Sequence, residues 1–322
     1  MEFKKLVLTS AALSKSAGAA FDLERGLLEM DPVAGCCFLC FCWAVYCFVW
    51  SVIGSNVSKV DQIWSITPFF YCWYLHFHYV HNHGGSVHER LLLVCLLTTL
   101  WGVRLTYNFY RRGGYGNLIT HEEDYRWPIL RKKIGNKWLF LLFNLTFIAS
   151  YQNLILMAIA LPAHGVMLGE SAIGSYDWVC TGLFLTLLVM ETTADQQHWN
   201  YHNKKYAVSS SERKVHPDRD VRNGFYQSGL FAFCRHPNYF AEQAMWVVVY
   251  AFSLTKDSIT KPSDLVTGYA LGIFMLITLF QGSMSFSESI TAGKYPLYKD
   301  YQTRVSQCIP WFSHPQNDNK IA

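Results

Sequence analysis

Two apolar stretches, Val33–Ile53 and Leu139–Leu161, constrain the fold of this chain more than any other feature. Each is long enough to cross the hydrocarbon core of a bilayer as a helix. In lipid, every backbone N–H and C=O must be satisfied within the protein, so helices are the default. Further apolar segments bring the expected spans to seven, at about 33–53, 62–80, 90–110, 138–161, 177–192, 239–254 and 264–286. The expected fold is all-α: a polytopic membrane helix bundle of about seven transmembrane helices over residues 33–312. An N-terminal arm (1–32) precedes it and a polar tail (313–322) follows. Charged residues make up 16% of the chain, against roughly 25% in soluble domains.

Loop charge sets the orientation of such a bundle. Arg111, Arg112, Arg126, Arg131, Lys132, Lys133 and Lys137 follow the third segment. Lys204, Lys205, Arg213, Lys214, Arg219, Arg222 and Arg235 follow the fifth, and Lys294, Lys299 and Arg304 follow the seventh. No Lys or Arg follows the fourth. Seven spans put the three basic regions on one side, which predicts a cytosolic C-terminus and a lumenal or exterior N-terminus. Lysines in the N-terminal arm run mildly against this. The Asn56-Val57-Ser58 sequon then faces the cytosol and escapes glycosylation. The net charge of +4 comes mostly from these loops and gives no argument for a nucleic-acid partner. Five of the ten cysteines lie within Cys36–Cys47, where thiols act as small apolar groups. Residues 1–32 lack the apolar core of a secretory signal peptide, so the first span is the expected insertion signal.

Chemistry concentrates in Arg235-His236-Pro237-Asn238-Tyr239-Phe240-Ala241-Glu242, at the mouth of an apolar helix. Pro237 suits the first helical turn. Asn238 and Glu242 are four apart and share a face. A helix N-terminus flanked by Arg235 and His236 suits a phosphate. The plainer reading is an interfacial Arg beside a helix-starting Pro. Glu191, Asp195, His198 and His202 recur at helical spacing as a second polar stripe. That stripe suits a metal, or ribose hydroxyls, or simple solvation of a helix leaving the membrane. Arg104 lies inside an apolar run and needs a carboxylate, a phosphate or carbonyls. His76, His78, His81, His83 and His88 invite a di-iron reading, but they lack closely spaced His pairs and fall on the opposite side. No metal is therefore assigned. Gly-x-Gly-x-x-Gly after a strand is missing, so any nucleotide must be held by membrane helices and cytosolic loops.

Gly229-Leu230-Phe231, Arg235 to Phe240 and Glu242 resemble the signature of the steroid 5-alpha-reductase C-terminal domain family. The match is closest to its poorly characterised membrane branch. Asp61-x-x-Trp64-Ser65, Trp101-Gly-x-Arg104-Leu105, Glu123-Asp-Tyr-Arg126, Ala194-Asp-Gln-Gln197 and Tyr301 with Ile309-Pro-Trp311 extend the likeness over residues 60–312. The resemblance implies a seven-helix fold that binds NADPH from the cytosolic side, in the endoplasmic reticulum. It also implies reduction of a carbon–carbon double bond conjugated to a carbonyl in a lipid-like substrate: a sterol, a polyprenol derivative or a fatty enone. Carried over by position, Asp195, Asn238 and Glu242 contact the cofactor, and Arg235 and Tyr301 lie near its phosphates or ribose. His236 and Tyr239 belong to the same motif, and Arg104 and Lys204 are further phosphate-binding cations. Steroid reductases polarise the ketone with a Gln-Glu pair and a Tyr. This chain lacks that pair; Asp61 is the nearest acid and Tyr107 the nearest phenol.

Two other functions fit parts of this pattern. Membrane S-adenosylmethionine-dependent methyltransferases share an Arg-His-Pro-x-Tyr element, and a non-catalytic sterol-binding protein would need no cofactor.

Overall fold

The computed structural model describes residues 26–115, 123–254 and 265–312. Most of the expected N-terminal arm (1–25) and the tail (313–322) lie outside the described residues. The elements are α1 (Pro32–Ile53), α2 (Lys59–Ile63), α3 (Thr67–Asn82), α4 (Glu89–Arg111), α5 (Arg126–Ile134) and α6 (Lys137–Met167). They continue with α7 (Ser175–Tyr206), α8 (Ser210–Lys214), α9 (Arg219–Asn223), α10 (Pro237–Phe252), α11 (Ala270–Lys294) and α12 (Tyr298–Arg304). Among the described residues, extended pairing is confined to one parallel bridge between Cys234 and Ser306.

Among the described residues, four helices, α1, α4, α6 and α11, are long and apolar enough to cross a membrane. The chain is therefore an all-helical protein with several membrane-span candidates. The other three expected spans fall in helices that do not qualify by length and composition. Helices α3 and α10 have 16 residues each. Helix α7 has 32, but its second half carries the Glu191–His202 stripe and two lysines.

The chain forms two compact units: residues 1–180 with 249–272, and residues 181–248 with 273–322. In the first, Asp31 caps α1 by accepting from Val33 N and Ala34 N at 3.0 and 2.9 Å. Pro32 occupies the first turn, where its missing N–H is harmless. Gly35 lets α3 approach, because a Cβ there would lie 1.8 Å from Tyr74 Oη. Gly102 does the same on α4, where a Cβ would meet Ser65 O and Phe69. Ser65 Oγ bonds Thr106 Oγ1 at 2.7 Å, and Trp73 Nε1 donates to Thr99 Oγ1 at 2.9 Å. The Asp-x-x-Trp-Ser and Trp-Gly-x-Arg-Leu motifs thus meet as packing partners.

Helix α6 widens to π geometry over Asn144–Tyr151. There Asn144 Nδ2 donates to Ser51 Oγ of α1 at 2.7 Å. Arg90 pairs with Asp177 at 2.9 Å and donates to Phe252 O at 2.7 Å, all buried. The histidine run is used locally: His88 caps α4 through Leu91 N, and His78 and His83 reach Met30 O and Tyr79 O. All ten cysteines are free thiols.

Candidate functional site

The second unit gathers most of the motif residues. Helix α10 starts at Pro237, directly after Arg235 and His236. The chain entering it is fixed by a segment from the C-terminus. Arg235 N donates to Ser306 O at 2.8 Å, His236 N to Gln307 O at 3.1 Å, and Trp311 N to Phe233 O at 3.0 Å. The Ile309-Pro-Trp311 element is therefore one side of a backbone clasp around the Arg-His-Pro motif. Cys234 is buried in this clasp, and burial pushes its thiol up to about 12.

Glu288 of α11 is the hub. It accepts from Arg235 Nε at 2.7 Å and NH2 at 3.1 Å, His236 Nε2 at 3.0 Å and Gln302 Nε2 at 2.7 Å. It is 4% exposed. Arg235 NH1 also donates to the carbonyls of Gln302 and Val305. All three guanidinium nitrogens are thus engaged by the protein. Tyr301 is likewise committed, donating to Phe231 O at 2.5 Å within a core of Phe225, Tyr298 and Val305. Arg235 and Tyr301 are thus both held by contacts within the protein. Glu288 was missed by sequence reasoning. Its signal was present: a carboxylate inside the last apolar helix, where acids are expensive.

Asp195 and Asn238 meet. Asn238 Nδ2 donates to Asp195 Oδ1 at 3.2 Å. Asp195 is 4% exposed, and Glu191 and Glu242, one turn away on their respective helices, are also buried. A carboxylate pair on α7 and an amide–carboxylate pair on α10 therefore meet through Asp195 and Asn238. Gln197 supports the same corner by accepting from Leu230 N at 3.0 Å. Gly229, with φ +60°, passes so close that a Cβ would fall 2.6 Å from Gln197 Oε1. This explains Gly-Leu-Phe and Ala-Asp-Gln-Gln as one structural pair. Tyr239 stacks on His236 at 5.4 Å and packs edge-on against Phe280 at 4.8 Å.

Lys204 is exposed and bound to Asp218, whose pKa that hydrogen bond lowers. His198 and His202 approach each other, Nε2 to Nε2, at 3.2 Å. Among the described residues, no group of three or more His, Cys, Asp or Glu converges as a metal ion requires.

Asp61, Arg104 and Tyr107 belong to the first unit. Asp61 Oδ2 accepts from Trp127 Nε1 at 3.2 Å, and burial raises its carboxyl pKa, against the opposing pull of Arg126. Glu123 accepts from Arg131 at 2.7 and 3.0 Å and from Val57 N at 3.1 Å. The Glu-Asp-Tyr-Arg element therefore folds over the segment that leads into α2, which carries Asp61. Arg104 is half-buried. Tyr107 is 62% exposed, with Arg111 stacked 5.8 Å from its ring.

No solved structure matches this chain. An uncharacterized protein of Schizosaccharomyces pombe is 36% identical over 266 residues, covering 81% of this chain and 74% of its own length. The family model described as a protein of unknown function, DUF1295, matches residues 47–305. That span contains Asp61, the Asp195–Asn238 contact and the Glu288 hub, and on this match the chain belongs to the DUF1295 family.

Proposed function

We propose that this chain is a membrane-embedded, NADPH-dependent reductase of a carbon–carbon double bond conjugated to a carbonyl in a lipid-like substrate. The observation that carries the reading is the contact of Asn238 with Asp195, beside buried Glu191 and Glu242. Buried carboxylates and an amide at a helix entrance are suited to bind hydroxyl and amide groups, as a dinucleotide presents. The resemblance of the ordered motifs to steroid 5-alpha-reductase-like proteins supports the same chemistry.

The donor set fits such a cofactor in part. Asp195 and Glu242 would accept from ribose hydroxyls, and Asn238 has both a donor and an acceptor to offer. Arg235 and His236 act indirectly: Glu288 fixes them, and they fix the start of α10. Lys204, on the exposed rim, is paired with Asp218 and would reach a phosphate only by leaving that partner. The reduction needs a hydride, which reduced nicotinamide supplies when bound. The protein must then meet the charge developing on the carbonyl oxygen. Asp61 is the proposed acid. Its raised pKa keeps more of the carboxyl protonated than in water, as proton donation requires. Tyr107 is the proposed second donor. We further propose seven spans in the endoplasmic reticulum membrane, with the cofactor face cytosolic.

The test uses the full chain purified in detergent. NADPH should quench its Trp fluorescence, S-adenosylmethionine should not, and a panel of sterol, polyprenal and fatty enones should contain one that consumes NADPH absorbance. Quenching by S-adenosylmethionine alone would move the protein to the methyltransferase class. No response to either would leave a non-catalytic lipid-binding protein.

A further inference from the structure

A second polar corner of the same unit is used by none of the residues above. Tyr201 Oη, Asp220 Oδ1 and Gln227 Nε2 are shielded from solvent and have no hydrogen-bond partner among the described residues. The three residues are 6%, 3% and 5% exposed. Arg219 Nε stands 3.7 Å from Asp220 Oδ1, beyond hydrogen-bond range. Each such atom costs about 1–3 kcal/mol when left unmet. Buried polar atoms in native proteins are overwhelmingly satisfied, so three in one corner call for a partner.

They belong to one place. Gln227 N reaches Asp220 Oδ2 at 3.4 Å. The Tyr201 ring packs against that of Tyr226, the residue before Gln227, and Lys205 Nζ lies 5.6 Å from the Tyr201 ring and 4.8 Å from that of Tyr295. Lys205, 5% exposed, ties α7 to the loop by donating to Gly224 O at 2.6 Å and Tyr295 Oη at 2.9 Å. Gly224 needs its φ of +86°, and a Cβ there would strike the Tyr295 ring at 2.2 Å. Aromatic walls stand beside it: Tyr226 lies 5.3 Å from Tyr201 at 32°, and Phe231 lies 5.1 Å from Tyr226.

We infer that Tyr201, Asp220 and Gln227 form a binding subsite for a flat ring edge carrying an N–H donor beside an acceptor. Asp220 Oδ1 accepts from the ligand N–H. Tyr201 Oη and Gln227 Nε2 donate to its acceptor, and the aromatic residues flank the ring. An amino-purine edge and a carboxamide on a pyridine-type ring both have this chemistry. A nicotinamide dinucleotide carries one at each end. The inference rests on the proposed function only for that choice of ligand.

Tyr201→Phe removes the hydroxyl alone. Because that hydroxyl has no hydrogen-bond partner among the described residues, its loss should leave thermal stability unchanged or raised. NADPH affinity should fall about five- to tenfold, as expected for one hydrogen bond. Gln227→Met should do the same. Adenosine monophosphate and reduced nicotinamide mononucleotide, tested separately, identify the source: the fragment whose binding weakens in both variants is the one held here. If wild-type protein binds adenosine monophosphate but not NADPH, and Tyr201→Phe weakens that binding, the subsite stands and the reductase reading falls. If NADPH binds wild type and both variants equally, the subsite is overturned and the reductase reading stands. Lower stability of ligand-free Tyr201→Phe, or no binding of any probe to wild type, also overturns it.

Discussion

Glu288 holds Arg235, His236 and Gln302 with both carboxylate oxygens, and the Arg and Glu side chains are 9% and 5% exposed. Removing one partner of a buried ion pair leaves the other charge uncompensated, which costs about 3–5 kcal/mol. Glu288→Gln should therefore lower the thermal midpoint sharply and disorder the entrance to α10. Glu242→Gln should behave differently. Glu242 lies in the proposed binding stripe, so NADPH-induced quenching should weaken while the midpoint moves little. Equal affinity in wild type and variant would remove Glu242 from the site. Asp61 gives a pH signature. Its folded pKa is raised mainly by burial, so its contribution to stability is full below the unfolded pKa and declines as pH rises through the folded one. Asp61→Asn keeps an acceptor for Trp127 and has no charge to bury. Its midpoint relative to wild type should be lowest in acid and climb as pH rises to neutrality; a constant difference across pH 4–7 would refute the raised pKa.

At the scale of elements, close helix contacts rest on particular glycines. Gly272 and Gly282 both lie in α11. A Cβ at Gly272 would fall 2.3 Å from Ala158 O, a backbone atom that cannot swing aside, whereas nothing lies within 4 Å of one at Gly282. Gly272→Ala should destabilise by about 1–3 kcal/mol through overpacking. Gly282→Ala should be neutral or stabilise by up to about 1 kcal/mol. Thermal unfolding of the two variants in one detergent makes the comparison; the reverse order would refute the α6–α11 contact. The apolar runs identified α1, α4, α6 and α11 because lipid-facing composition is a local property. They did not reveal the widened turn at Asn144–Tyr151. That turn accompanies the partners of Asn144 on α1 and of Ser150, which donates to Leu145 O at 2.6 Å, and hydropathy is blind to both.

For the whole molecule, orientation is the open prediction of the charge pattern. Asn56 is 7% exposed and accepts from Ser58 N at 2.9 Å, so its amide is committed within the fold. The chain expressed in microsomes should show no mass shift on glycosidase treatment, and a C-terminal epitope should be digested by protease without detergent. A protected epitope would reverse the topology. The two compact units also divide the motifs: the proposed acid lies in the first, and the Asp195–Asn238 contact lies in the second. Sequence order interleaves the units, because residues 249–272 return to the first, so no inspection of linkers would have drawn that boundary.

Hydropathy and motif order, read from the chain alone, were sufficient for a helical membrane protein and for the short list of polar residues at the start of α10. Both depend on nearest neighbours in sequence. Which of those residues the fold itself engages was decided only by tertiary contacts. Arg235 meets Glu288 across 53 residues, and Asn238 meets Asp195 across 43. A guanidinium looks the same in sequence whether it awaits a phosphate or already holds a carboxylate; the folded chain commits this one to Glu288.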